Sequence, residues 1–202
     1  MTKYSKTYAF SVSLFALIVL SPIFLVVALT YFFGSDKGPV FYKQERVGLN
    51  HETFYMYKFR SMVVGATEIL LNNPELYAKF VENGYKLPTS EDPRITKFGG
   101  FLRKTSIDEL PQFLNVLLGD MTIIGPRPVV ENELKEYGDA VDVLLSVKPG
   151  ATGLWQATGR SEIQYPERAH LEIEYAQNAN LWFDFKIMFM TVGAVVSGKG
   201  AF

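Results

Sequence analysis

Between Thr7 and Ser35 no position carries a charge, and apolar side chains dominate from Phe10 to Phe33. The run of 29 residues exceeds the ~20 that a helix needs to cross bilayer hydrocarbon. One transmembrane helix is the plain reading, but two features favour another. Ser21-Pro22 falls mid-run, where proline removes a helical hydrogen bond and kinks the axis while a serine hydroxyl can recap the freed backbone. Positive residues also flank both ends, Lys3 and Lys6 before, Lys37, Lys43 and Arg46 after, whereas a single pass keeps them mainly on one side. A bent helix that enters and leaves by the same face satisfies both, each arm roughly 17–20 Å long. A cleaved signal peptide fits less well, because the run is long and lacks a small-residue cleavage site after its first apolar stretch.

Past this run the periodicity shortens. Gly38-Pro39 marks a turn, Val40-Phe41-Tyr42 a short strand, and Gly48 to His51 a second turn. Thr53 to Arg60, β-branched and aromatic, predicts a better strand. From Ala66 to Asn83 the spacing turns helical, broken at Asn72-Asn73-Pro74 and ended by Asn83-Gly84. Residues 84–100 read as loop. Leu110, Phe113, Leu114, Leu117 and Leu118 then follow the stripe of an amphipathic helix. A last apolar segment, Leu181 to Val196, is short for a span and suits a core helix or, with Trp182, Phe183 and Phe185 beside Asp184, an interfacial one. No internal repeat or low-complexity tract appears, so one compact domain follows the anchor.

A length of 202 residues accommodates that domain and its anchor. Because 20 Lys and Arg stand against 21 Asp and Glu, no global field recruits nucleic acid. The absence of cysteine excludes disulfides, thiolate metal sites and thiol nucleophiles. The two histidines, His51 in a polar turn and His170 ahead of a helical pattern, read as surface residues. Any chemistry must come from carboxylates, arginines and lysines.

The densest candidate is Thr105 to Gln112. Ser106 and Glu109 have capping-box spacing, and Pro111 pushes the helix start toward Asp108. In either register Asp108 and Glu109 lie at a helix start, where free amides and the macrodipole favour negative charge, so both should stay ionised at neutral pH. An ionised carboxylate can attack phosphorus to give an acyl phosphate, with a divalent cation offsetting phosphate repulsion. Adjacent acids at a helix start are also ordinary capping chemistry. The surroundings tilt the balance: Arg94, Lys97, Arg103 and Lys104 lie just upstream, and Arg127 stands between two prolines that hold it stiff for a bidentate grip on phosphate. Pro149 to Arg160 is a glycine-rich loop of the kind that lets amides approach phosphates, although its spacing matches neither a Walker A nor a dinucleotide fingerprint.

At these residues the chain resembles the bacterial sugar transferase family, the monotopic phosphoglycosyl transferases. The similar stretches are Ser21-Pro22, Gly38 to Phe41, Lys58 to Met62, Asp92-Pro93-Arg94, Ser106 to Gln112, Asn115-Val116-Leu117, Gly119-Asp120-Met121, Gly125 to Pro128, Lys148 to Arg160 and Lys199 to Phe202. They run in order along nearly the whole chain, and the Asp-Glu-Leu-Pro-Gln run combined with Gly-Pro-Arg-Pro is highly specific. The resemblance implies transfer of a sugar 1-phosphate from a UDP-sugar to polyprenyl (undecaprenyl) phosphate. Asp108 would attack the sugar-bearing phosphate, UMP would leave, and the lipid phosphate would take the sugar phosphate from the covalent intermediate. By position, Asp108 and Glu109 are the dyad around Mg2+, Arg103 is its basic neighbour, and Lys58, Arg127, Gln156 and Arg160 contact substrate. Ser21-Pro22 matches the break of a re-entrant helix. Asp120, Glu172 and Asp184 fall in family motifs without an assigned role. Ala9 and Gly65 stand where the family often has an acid, and Phe202 where it usually has Tyr. None of these departures touches the dyad. The several-span N-terminal extension of larger relatives is not in this chain, which resembles the minimal form.

The expected fold is α+β: a re-entrant membrane helix-break-helix over residues 1–35, then a small, mainly helical catalytic domain over 36–202 with short strands and interfacial amphipathic helices. The implied location is the cytoplasmic face of the bacterial inner membrane, among membrane lipids. A second copy of the chain and downstream glycosyltransferases are the candidate protein partners. The motifs lean towards relatives that begin exopolysaccharide or O-antigen assembly with galactose or glucose phosphate. Two other classes compete: a membrane-anchored scaffold or nucleotide-sugar sensor whose acids cap a helix, and a metal-dependent phosphatase acting on a lipid phosphate.

Overall fold

In the computed structural model, which describes residues 3–85, 87–159 and 162–197, the apolar run forms a single helix, α1 (Lys3–Phe33), with Pro22 inside it. Proline cannot supply the amide that the Ile18 carbonyl would accept from four residues on. The Ser21 hydroxyl donates to that carbonyl instead, at 2.8 Å, so the helix passes the proline with the acceptor satisfied. Much of α1 is bare apolar surface: Phe15, Ile18, Phe32 and Phe33 are all well exposed. Only selected positions pack inward. Ala9 joins a cluster with Met56, Val116 and Met121, while Val27 and Tyr31 join Phe59 and Leu102.

The predicted strand pair forms with a longer first member. β1 (Phe41–Val47) and β2 (Thr53–Phe59) run antiparallel, Phe41 opposite Phe59 and Val47 opposite Thr53, across a 3-10 turn at Leu49–His51. His51 is exposed beside Asp142, and His170 is exposed beside Glu167. The broken helical stretch becomes α2 (Ala66–Leu71) and α3 (Pro74–Glu82). Asn73 Oδ1 accepts from the Leu76 amide at 3.0 Å, and Pro74 takes a first position where its missing amide costs nothing. Gly65 opens α2 at φ +79°, a left-handed position that suits glycine.

Residues 84–100 are only partly loop. A fourth helix, α4 (Lys97–Lys104), begins inside them, with Thr96 Oγ1 accepting from the Gly99 amide at 2.9 Å. The paired glycines hid this helix. Gly99 is there for contact: a Cβ on it would stand 1.9 Å from the Ser61 carbonyl oxygen, so α4 lies backbone to backbone on the end of the hairpin.

The amphipathic helix also begins later than expected. Ser106 turns left-handed at φ 57°, Ile107–Glu109 make a 3-10 turn, and α5 (Gln112–Leu118) starts only after Pro111. Its buried face is Gln112, Asn115 and Val116, and Leu118 of the leucine stripe is 65% exposed. Asn115 explains the rotation. Its Oδ1 accepts from the Tyr57 amide at 2.9 Å and its Nδ2 donates to the Tyr55 carbonyl at 2.7 Å, so it docks on the edge of β2 in place of another strand.

Two short parallel strands follow, β3 (Thr122–Ile124) and β4 (Gly150–Thr152). Between them run a 3-10 stretch at Glu131–Ala140 and α6 (Val141–Leu144). The chain then forms α7 (Leu154–Thr158), α8 (Glu167–Asn178) and α9 (Leu181–Ser197). α9 buries Ile187 against the cluster of Ile124 and Tyr175 and turns Trp182, Phe185 and Phe189 outward. That is a surface helix with an apolar outer face rather than a core helix.

Candidate active site

Three cations from three elements converge on the 3-10 turn between α4 and α5. Lys58 comes from the end of β2, Arg103 from the last turn of α4, and Arg127 from the loop after β3. Lys58 Nζ donates to Glu109 Oε1 at 2.8 Å, and Arg127 Nη1 lies 3.6 Å from the same oxygen. Arg103 Nε donates to Ser61 Oγ at 2.9 Å. That bond fixes the guanidinium beside Asp108, whose charge it offsets. The predicted capping box does not form: Ser106 makes no side-chain capping bond to the turn. With α5 delayed past Pro111, the acids face cations rather than the first amides of a longer helix.

Burial makes the charge on Asp108 more costly than a helix start alone would. Only 7% of the residue is exposed, and desolvation pushes its carboxyl up to about 6, with Glu109 adding to the rise and Lys58, Arg103 and Arg127 opposing it. A macrodipole acting alone would hold it low; here desolvation outweighs every cation. Asp108 remains an anion at neutral pH, but a poorly hydrated one, and a carboxylate short of hydration is more reactive than a solvated one. Burial likewise pulls the Lys58 ammonium down, against the pull of Glu109.

The remaining predicted residues divide. Gln156 lies in α7, where its Oε1 is buried without a hydrogen-bond partner among the described residues. Its neighbour Trp155 has the Arg127 guanidinium 5.7 Å from its ring centroid, so α7 borders the site through Trp155. Arg160 and Lys199 to Phe202 lie outside the described residues. Ser21 and Pro22 belong to α1. Arg94 and Asp92 pair with each other through two 2.7 Å bonds, both buried, and serve the framework. Asp120 accepts from Asn115 Nδ2 at 3.2 Å, and Asp184 Oδ1 lies 2.7 Å from the Tyr175 hydroxyl.

Sequence reasoning missed a buried ionic network behind Arg127. Arg168 Nε lies 3.3 Å from Glu172 Oε1, its Nη2 3.8 Å from Glu133 Oε2, and Arg46 Nη1 3.6 Å from that same Glu133 oxygen. The Tyr137 hydroxyl donates to Glu172. The available signal was the i, i+4 spacing of Arg168 and Glu172 on the helix face that also carries Tyr175.

The adjacent carboxylates of Asp108 and Glu109 offer hard oxygen donors. Among the described residues no group of three or more His, Asp or Glu forms a ready-made cage. Such a pair suits Mg2+, which takes one or two carboxylates and completes its octahedron with phosphates and water.

Comparison with known proteins gives one consistent answer. The chain is 44% identical over 201 residues to the undecaprenyl-phosphate galactose phosphotransferase of Salmonella typhimurium, covering 98% of this chain and 41% of that protein. It is 41% identical to the exopolysaccharide production protein ExoY of Sinorhizobium fredii, covering 98% of this chain and 87% of that one. Identity to the UDP-glucose:undecaprenyl-phosphate glucose-1-phosphate transferase of Escherichia coli is 37%, over 92% of this chain and 39% of the relative. The chain thus spans about two fifths of the length of the Salmonella and Escherichia coli relatives and most of the Sinorhizobium one. A family model described as bacterial sugar transferase matches residues 2–198. With the match running through the buried acid, its cations and the apolar helix alike, this chain belongs to the bacterial sugar transferase family.

Proposed function

We propose that this protein transfers a sugar 1-phosphate from a UDP-sugar to undecaprenyl phosphate through a covalent intermediate on Asp108. The observation that carries this reading is a buried, poorly hydrated Asp108 with Lys58, Arg103 and Arg127 acting on it and Glu109 beside it. Relatives named for galactose and glucose phosphate transfer to undecaprenyl phosphate support the general reaction.

In the first half-reaction an Asp108 carboxylate oxygen bonds to the sugar-bearing phosphorus. The bond from that phosphorus to the UMP oxygen breaks, and the electron pair leaves with UMP. In the second, an oxygen of the lipid phosphate bonds to the same phosphorus and Asp108 departs as a carboxylate. Both nucleophiles are anions, so neither step needs a general base. Arg127 and Lys58 supply positive charge for the phosphoryl oxygens, and Glu109 holds both cations at the site. Bound Mg2+, held by Asp108 and Glu109 together with substrate phosphates, would weaken the repulsion between carboxylate and phosphate. One site serves a soluble and a lipid substrate in turn.

The lipid substrate requires a site at headgroup depth. Apolar α1 and the outward aromatics of α9 support membrane attachment. The re-entrant topology is part of this proposal: Ser21-Pro22 offers α1 a place to bend, and positive residues at both ends of the apolar run favour a path that enters and leaves by the cytoplasmic face.

The test is UMP release from a panel of UDP-sugars with Mg2+ and undecaprenyl phosphate, comparing the wild type with Asp108→Asn. Release that needs lipid, Mg2+ and Asp108 is expected, and the panel names the sugar. Full activity in Asp108→Asn, from protein shown to be folded, overturns the reading.

A further inference from the structure

The guanidinium of Arg127 meets, among the described residues, one carboxylate oxygen and one aromatic ring, which leaves most of its donors for an incoming anion. The ring, Trp155, is itself held. It is 3% exposed, and its Nε1 donates to the Ile163 carbonyl at 3.0 Å. A second guanidinium, that of Arg168, lies 4.5 Å from the same ring centroid. Arg168 is 2% exposed and anchored to Glu172 at 3.3 Å, and it also lies 4.7 Å from the Tyr165 ring. The buried ionic network and the site therefore touch the two arginines on one indole. An arginine on a flexible stem loses rotamer entropy when it grips phosphate, and a fixed aromatic surface removes part of that loss beforehand.

We infer that Trp155 is a positioning residue for Arg127, an indole platform that Arg168 and Glu172 hold in place and that aims the Arg127 guanidinium at the anionic substrate. Trp155 does not touch the reacting atoms; it acts through Arg127. The inference rests on the transfer reading for its substrate, a diphosphate, and the structure supplies the platform. An indole gives a broader and more electron-rich face to a cation than a phenyl ring, and leucine gives none.

A double-mutant cycle tests it, in full-length protein in detergent, on two readouts: kcat/KM for UMP release and affinity for inorganic pyrophosphate by calorimetry. Trp155→Leu should lower both, by about tenfold or more, and Trp155→Phe should recover most of the loss. In an Arg127→Ala background the Trp155→Leu change should cost less than about threefold further, because the residue through which it acts is gone. Losses that multiply would assign Trp155 a general packing role and overturn the inference, as would a Trp155→Leu protein within twofold of wild type. Should Trp155→Leu fail to fold, the same cycle with Trp155→Phe decides, its smaller loss again vanishing without Arg127. Pyrophosphate binding with the expected coupling but no UMP release from wild type would leave this inference standing and remove the transfer reading. Wild type that neither binds pyrophosphate nor releases UMP overturns both.

Discussion

Asp108 is held in the state that folding least favours. Its carboxyl, raised to about 6 by burial, is ionised at neutral pH in a site that would rather hold the neutral form. The raised value means the folded state binds the proton more tightly than the unfolded chain, whose carboxyl titrates near 4. The cost is therefore fully present above pH 6 and fades as pH falls from 6 towards 4, amounting to roughly 3 kcal/mol at its largest. Asp108→Asn should accordingly raise the melting temperature at pH 8 in EDTA, with the gain shrinking at pH 5. A lower melting temperature at pH 8 would mean that the cations need Asp108 more than burial penalises it. Burial raises the Glu172 carboxyl as well, but this residue, 1% exposed, is paired with Arg168, which needs it. Glu172→Ala leaves Arg168 buried with Glu133, at 3.8 Å, as its one carboxylate partner among the described residues, and should cost about 3–5 kcal/mol in denaturant unfolding.

At the scale of elements, the site depends on two backbone approaches that only glycine permits. Gly99 lets α4 lie on Ser61, which brings Arg103 Nε to Ser61 Oγ at 2.9 Å and so to the side of Asp108. Gly150 and Gly125 let β4 and β3 meet where a Cβ on Gly150 would stand 2.1 Å from the Gly125 nitrogen, and that crossing carries the Pro126-Arg127-Pro128 loop. Gly99→Ala should push α4 outward, costing about 1–3 kcal/mol of stability and lowering UMP release more than membrane binding. Stability and UMP release are measured on one detergent preparation, and membrane binding by co-flotation with lipid vesicles. Wild-type activity in folded Gly99→Ala would mean that Arg103 does not need its present position. α5 shows why patterning misled about this region: a buried asparagine that completes a strand edge outweighed five apolar residues in choosing the inward face.

The whole molecule joins an apolar helix to the polar cluster of the candidate site through the end of β2. The Tyr31 hydroxyl at the end of α1 donates to the Arg60 carbonyl. Arg60 Nε in turn donates to the Pro39 carbonyl at 2.8 Å, and Lys58 two residues back reaches Glu109. With no native cysteine to interfere, single cysteines at Thr2 and Glu52 should both be labelled from the cytoplasmic side only. Labelling from opposite sides would establish a true span and move the proposal to a single-pass anchor. Much of this was readable along the chain: the apolar run, its proline, the strand pair, the broken helices and the acid pair with cations around it are signals carried by neighbouring residues. By itself the sequence determined the apolar helix, the strand pair and the two short helices after it, the family resemblance and the residue types available for chemistry. Only the tertiary structure decided that Lys58 would close on Glu109 from 51 positions away, that Asp108 would be buried enough to raise its carboxyl, and that two arginines would meet the Trp155 ring. Those outcomes depend on desolvation and on contacts between distant segments, quantities that a linear pattern of polar and apolar positions does not contain.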